Sequence, residues 1–408
     1  MRWLHWEAFT VRAAEFSRDQ RRAASVAAGA HALHDGYTDL IYIMLPLWQA
    51  EFGLTYAALG VLRGMFVGAM ASMQIPASLL ADRLGAAVVL ALGTALAGLG
   101  YCLAGASTGF VMLLGALIIG GLGASAQHPI ASALVARAFA GPRSLTALGT
   151  YNFAGDLGKM TVPAALSLLL LAIPWRSALA ILGSIGLAAA VVIFVFTPRY
   201  SRSVAAAKDD LRAVESPPPP QAFPLLLCIG ILDSATRMGF LLFLPFVLTA
   251  KGATLQDVGL AMTLVFAGGA AGKLACAFIG ARIGVTGTVW LTEGLTAAGI
   301  LALFPLPLFG ALLLLPLIGI ALNGTSSVLY GSVPDLVAPD WRTRALSIFY
   351  TGTIGSGALA PVLFGRVGDA LGVWHALVLV AVIALFTLPL AALLRPALVR
   401  RYGSGASV

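Results

Sequence analysis

Leu45-Pro46-Leu47-Trp48-Gln49-Ala50-Glu51-Phe52-Gly53-Leu54-Thr55 returns 199 residues later as Leu244-Pro245-Phe246-Val247-Leu248-Thr249-Ala250-Lys251-Gly252-Ala253-Thr254. Leu-Pro, Gly and Thr keep their places. At the same offset Gly60 falls on Gly259, Arg83 on Arg282 and Gly85 on Gly284. Further along, at offset 198, Ala147-Leu148 matches Ala345-Leu346 and Pro163 matches Pro361; Trp175 matches Trp374 at 199. Random apolar sequence yields many Leu and Ala coincidences. It rarely holds Pro, Trp, Arg and Gly in register across half a chain, so the two halves read as repeats.

The chain of 408 residues is 59% hydrophobic and 10% charged. Globular domains carry about 25% charged residues, so a soluble exterior of this size lacks polar surface and lipid is the fitting solvent. The 46 glycines suit close helix packing in a bilayer. Cys102, Cys228 and Cys276 lie in apolar runs without metal-type spacing and read as small core residues. The net charge of +8 belongs to basic loops rather than to nucleic-acid binding.

A membrane-spanning helix takes about 20 mainly apolar residues. Breaks at Gly, Pro and charged residues predict twelve, near 23–48, 55–80, 87–106, 110–137, 144–170, 175–197, 223–249, 255–280, 285–304, 309–333, 344–365 and 372–395. The expected fold is therefore all-α and integral to the membrane, with twelve transmembrane helices in two pseudo-symmetric six-helix bundles. Residues 1–22 read as a cytoplasmic or interfacial segment and 23–197 as the first bundle. Residues 198–222, with KDDLRAVE and Pro217–Pro220, read as a cytoplasmic linker. The second bundle is 223–396 and the tail 397–408. With the N-terminus inside, seventeen basic residues fall in cytoplasmic segments and only Arg176, Lys251 and Arg366 on the other side. That asymmetry puts both termini in the cytoplasm.

Ser78-Leu79-Leu80-Ala81-Asp82-Arg83-Leu84-Gly85 resembles the G-x-L-A-D-R-x-G signature of the major facilitator superfamily. Ser78 stands for its first Gly, and Ala86 and Ala87 stand where basic residues usually follow. Gly121-Leu122-Gly123-Ala124-Ser125-Ala126-Gln127-His128-Pro129 is similar to the G-x-G-x-S-x-x-H-P stretch of fosmidomycin-resistance-type exporters in that superfamily. Asn152-Phe153-Ala154-Gly155-Asp156-Leu157-Gly158 and the opening His34-Asp35-Gly36-Tyr37 resemble the same group. The resemblance implies a proton-coupled exporter of small molecules in a bacterial inner membrane, with Asn152 near its substrate. It also implies that Asp82 and Arg83 act in conformational control.

Ionisable groups inside a bilayer are costly and usually face a cavity or a partner. The first helix carries His31, His34, Asp35 and Asp39. At about 100° per residue they fall within an arc of roughly 140°. Asp35, near mid-depth, suits proton carriage; tying the helix to its neighbours or binding a metal through His31, His34 and Asp35 are the alternatives. Asp39 and Arg63 have matching depths and are expected to pair. His128 precedes Pro129, which removes a helix hydrogen bond and bends the fourth helix, beside the cavity or as a plain kink. Asp156 with Lys159 and Asp233 with Arg237 are three and four residues apart and are expected to pair along their helices or, where a pair opens toward the cavity, to leave Lys159 or Arg237 to attract an anionic substrate. Lys273 has no acidic residue within four positions. It is expected to attract an anionic group or to pair across helices with Asp35 or Asp39. Asn323 and Tyr350 add polar tips to the substrate site, and Glu293 reads as peripheral and structural.

No G-x-S-x-G, H-E-x-x-H or G-x-x-x-x-G-K-[ST] is present, so no enzyme motif competes with transport. The expectation is proton-coupled export, by antiport, of a small anionic or amphiphilic compound such as a drug. The carrier is expected to be a monomer in lipid, without cofactor or nucleic acid. Proton-coupled uptake of an organic anion, and a membrane metal-ion transporter built on the first-helix His and Asp residues, are the alternatives.

Overall fold

The computed structural model describes residues 17–139, 142–198 and 219–402. The expected interfacial helix and interhalf linker lie largely outside the described residues. Helices follow the expected spans closely. In the first half they are α1 (Arg18–Phe52), α2 (Tyr56–Ser72), α3 (Gln74–Leu84), α4 (Ala86–Gly105), α5 (Phe110–Ala124), α6 (Gln127–Ala138), α7 (Pro142–Leu169) and α8 (Trp175–Phe196). In the second they are α9 (Ala222–Ala250), α10 (Leu255–Ala302), α11 (Leu308–Ser332), α12 (Arg342–Leu371) and α13 (Val373–Tyr402).

Three helix breaks have chemical causes. Pro76 removes the donor for the Ser72 carbonyl, and the second span, expected near 55–80, bends by 42° between α2 and α3. Pro129 does the same to Ser125, and the fourth span divides into α5 and α6 around it. Gly284, at φ 73° and ψ 178°, divides α10 into two rods. Joined and divided in this way, the helices supply one rod for each of the twelve expected spans.

Among the described residues, eight helices are long and apolar enough to cross a membrane, or nine with α2 and α3 taken as one. The remaining rods are α1, α7 and α10 beyond Gly284. They fall short because they carry the charged and hydroxyl side chains described below.

The repeat is visible in the backbone. Gly53 and Gly252 both end a helix with positive φ (62° and 86°), and Gly85 and Gly284 both turn with positive φ (92° and 73°), conformations that glycine adopts without penalty. Thr55 and Thr254 cap the helices that follow, which satisfies otherwise unpaired N–H groups. Cys102 and Cys276 are wholly or partly covered, whereas Cys228 is exposed, contrary to its expected core position.

Among the described residues, the two halves meet tightly at one end. At the end away from Arg18 and Tyr402, Asp369 of α12 accepts from the backbone N–H of Tyr56 (2.6 Å) and Ala57 (3.0 Å) at the start of α2. Gly60 of α2 lies against the Pro361 backbone of α12. On the other seam Gln256 Nε2 donates to the Ser167 carbonyl (3.1 Å), and Thr263 Oγ1 to that of Met160 (2.9 Å). At the terminus-bearing end α3 has no buried residue. Ile75 and Leu79 of α3 and Leu274 and Phe278 of α10 stand more than half exposed there. Among the described residues, the bundle is closed at the far end and open at the end that bears Arg18 and Tyr402.

Candidate functional site

A cavity of about 270 Å³ lies between the halves, lined by α1, α2, α7, α9, α11 and α12 among others. Ten of the polar residues singled out in the sequence reach it, whereas His31, Asp156, Lys273 and Glu293 do not line it. His34, Asp35, Asp39, Arg63, His128 and Lys159 come from the first half, and Asp233, Arg237, Asn323 and Tyr350 from the second.

The first-half cluster is assembled from α1, α6 and α7. The Tyr151 carbonyl only accepts, so His31 Nδ1 carries a proton toward it at 2.9 Å. Its ring also stacks on Tyr151 at 4.1 Å. That bond aims His31 Nε2 at Asp35 Oδ1, 3.4 Å away. A neutral His31 then sets a lone pair against the carboxylate, and a second proton between them turns repulsion into a hydrogen bond. His34 Nε2 lies 3.2 Å from His128 Nε2, so one ring donates to the other, and 3.8 Å from Asp35 Oδ1. Gly155 makes room for this group, since a Cβ there would stand 2.6 Å from Asp35 Oδ2 and 2.7 Å from His31 Cε1. The glycines of the Asn152–Gly158 stretch thus let α7 approach α1. Asn152 itself is exposed on α7 and does not line the cavity.

Two expected pairs form. Arg63 Nη2 stands 3.7 Å from Asp39 Oδ1, with its guanidinium 4.9 Å from the Tyr42 ring centre, a favourable cation–π contact. Arg237 Nη2 donates to Asp233 Oδ2 at 2.9 Å. The pair expected along α7 does not form. Lys159 instead points to Asp35 Oδ2 at 3.3 Å, and Asp156 accepts from Lys273 at 2.5 Å. Lys273 therefore has a cross-helix partner, but neither of the two proposed from the sequence. Sequence spacing sees only contacts within one helix; the close approach of α7 to α1 and α10 offers better-aligned ones. Glu293, expected to be peripheral, is buried and faces Asp233. Asp369, which the sequence reading missed, is a carboxylate at a helix N-terminus, a favoured position. Its target lies more than 300 residues away in sequence, so no local signal marks it.

His31, Asp35 and His128 have donor atoms within 4.8 Å of one another, the right types for a metal. Lys159 already supplies positive charge to Asp35 from 3.3 Å and opposes a divalent cation there. Asp82 and Arg83 lie on the exposed terminus-side end of α3 and line a separate groove together with Arg137 and Pro198, away from the central cavity.

Two bundles of repeated helices around a central polar cavity, closed at one end, form the architecture of a secondary transporter. The family model of the Major Facilitator Superfamily matches residues 27–230 and 226–404, and the chain belongs to that superfamily. It is 25% identical over 364 residues to a probable sulfoacetate transporter, SauU, of Cupriavidus necator, covering 81% of this chain and 83% of the relative. It is 26% identical over 347 residues to the fosmidomycin resistance protein of Escherichia coli K12, covering 83% and 84%. Among solved structures, a bacterial homologue of the human lysosomal transporter Spinster, inward-facing and unoccupied, aligns with a TM-score of 0.78. That alignment has 16% identity and covers 95% of this chain and 99% of the other. The chain is a multi-pass membrane transporter of small molecules, and the superfamily is not one of enzymes.

Proposed function

We propose that this chain carries a small organic anion together with protons. One observation carries the reading: in two of the three cavity ion pairs the cation is the more exposed partner, Arg63 with Asp39 being the exception at 2% against 8%. The Lys159 side chain is 29% exposed against 9% for Asp35, and that of Arg237 22% against 3% for Asp233. In these two pairs the carboxylate is the better covered partner and the cation the one more open to the cavity. An anion docking on Lys159 competes with Asp35 for the ammonium. A proton on Asp35 removes that competition, so proton and anion favour each other's binding, and by linkage the effect is reciprocal. Co-binding leads to co-transport, which drives uptake where the outer side is the more acidic. The geometry thus favours the uptake alternative over exchange.

Sulfoacetate, an organic anion named for one relative, is the first substrate to try. Export of an amphiphilic compound against protons is the second reading, supported by the likeness to a fosmidomycin resistance protein. Asp35 is the proton-coupling residue in this reading, with His31 and His34 relaying. His128, Lys159, Arg237, Asn323 and Tyr350 form the binding surface, and Lys273, paired with Asp156 outside that lining, adds positive charge at longer range. The basic excess supports cytoplasmic termini, and a cavity lined within one chain supports a monomer in a bacterial inner membrane.

The test is uptake of labelled sulfoacetate into proteoliposomes under an imposed pH gradient. Acid outside should drive accumulation. Accumulation driven only by acid inside would establish exchange and overturn the reading.

A further inference from the structure

Glu293, on α10 beyond Gly284, and Asp233, on α9, meet in the core of the second half with exposures of 1% and 3%. The two carboxyl groups face each other. Among the described residues, Asp233 Oδ1 and Glu293 Oε2 have no hydrogen-bond donor, and ionised carboxylates only accept, so neither can satisfy the other without a proton. The groups facing the pair are Arg237 on α9 and Thr325 on α11. Tyr330 of α11 stands near Asp233 and Arg237, and Asp39 and Tyr42 of α1 lie within electrostatic range of Arg237. Two buried carboxylates against one guanidinium leave an unpaired negative charge in low dielectric, which is expensive. One shared proton removes it, as in other paired carboxyl groups.

We propose that Asp233 and Glu293 form a second proton-binding site, a carboxyl pair whose protonation sets how firmly Arg237 is held back from an anion in the cavity. The proposal rests on the reading of Arg237 as an anion-binding group. With one proton shared, Asp233 keeps enough negative charge to hold Arg237 at 2.9 Å. A second proton, taken from cavity water onto the Asp233 carboxylate, forms an O–H bond and releases the guanidinium to the anion. Release of the anion returns Arg237 to Asp233 and expels that proton. The second half thereby contributes a proton of its own to each cycle, in addition to the one on Asp35. Glu293, remote from the cavity, acts through Asp233 and Arg237 and is a positioning residue.

The test uses the full-length protein in detergent without substrate, followed by infrared difference spectroscopy across a pH titration. A carbonyl stretch of a protonated carboxyl should be present and should vanish in Glu293→Gln. Glu293→Asp keeps the acid and should shift the band, which serves if the Gln variant does not fold. A band unchanged in either variant overturns the proposal. Proton uptake on adding sulfoacetate in weak buffer should then fall by one proton per anion in Glu293→Gln; an unaltered stoichiometry also overturns it. A Glu293-dependent band in a protein that takes up no protons with the anion supports the carboxyl pair and removes only the proposed coupling.

Discussion

Replacing Gly60 by Ala should bias the conformational equilibrium without touching the cavity. A Cβ at Gly60 would stand 2.5 Å from the Pro361 carbonyl carbon and 2.8 Å from Val362 Cα, both backbone atoms. Non-bonded carbons settle at about 3.5–4.0 Å, so α2 and α12 must part by roughly 1 Å at the closed end. Neither side is a flexible side chain that could step aside. Overpacking of this kind costs about 1–3 kcal/mol. The strain exists only while that end is closed, so it enters the equilibrium between the two openings almost in full. A bias of about 1–3 kcal/mol corresponds to a shift of roughly 5–150-fold. The assay is a distance measurement between spin labels on Glu51→Cys and Ala250→Cys, both exposed at that end, in a background with Cys102, Cys228 and Cys276 replaced by Ser. Gly60→Ala should populate longer distances and slow transport. A distance distribution identical to that of the parent would refute the reasoning, because it would mean that this seam does not limit closure.

Asp35→Asn should abolish gradient-driven accumulation while leaving anion exchange at equal pH, since Lys159 remains; full gradient-driven activity removes Asp35 from the mechanism. Lys273→Met should weaken binding of an anionic probe far more than that of a neutral analogue, read by titration calorimetry, whereas equal losses assign Lys273 to a structural pair with Asp156. Arg63→Met strands buried Asp39 and should cost about 3–5 kcal/mol of stability, seen as a lowered melting temperature. The double variant with Asp39→Asn should recover most of it, and no recovery would break the assigned pair. Asp82→Asn should bind substrate normally but cycle slowly, because Asp82 lies on α3 outside the cavity; lost equilibrium binding in a folded protein contradicts this.

Much of the architecture is legible in the sequence because lipid imposes it. Backbone groups in a bilayer must be satisfied within each helix, so apolar runs of about 20 residues report the spans, and Gly53, Gly85, Gly252 and Gly284 report the turns between them. The site helices were legible for the same reason: charge is so costly in lipid that Asp35, Lys159, Asp233 and Arg237 needed a cavity. Pairs one turn apart, such as Asp233 with Arg237, follow from helix geometry alone. Only the tertiary structure decided the partners of Lys159 and Lys273, the meeting of Glu293 with Asp233, and the reach of Asp369 across the halves to α2. Those contacts depend on how closely and at what depth separate helices approach. That approach is set by glycines such as Gly60 and Gly155 meeting backbone and side chains from far along the chain, which no local pattern of residues encodes.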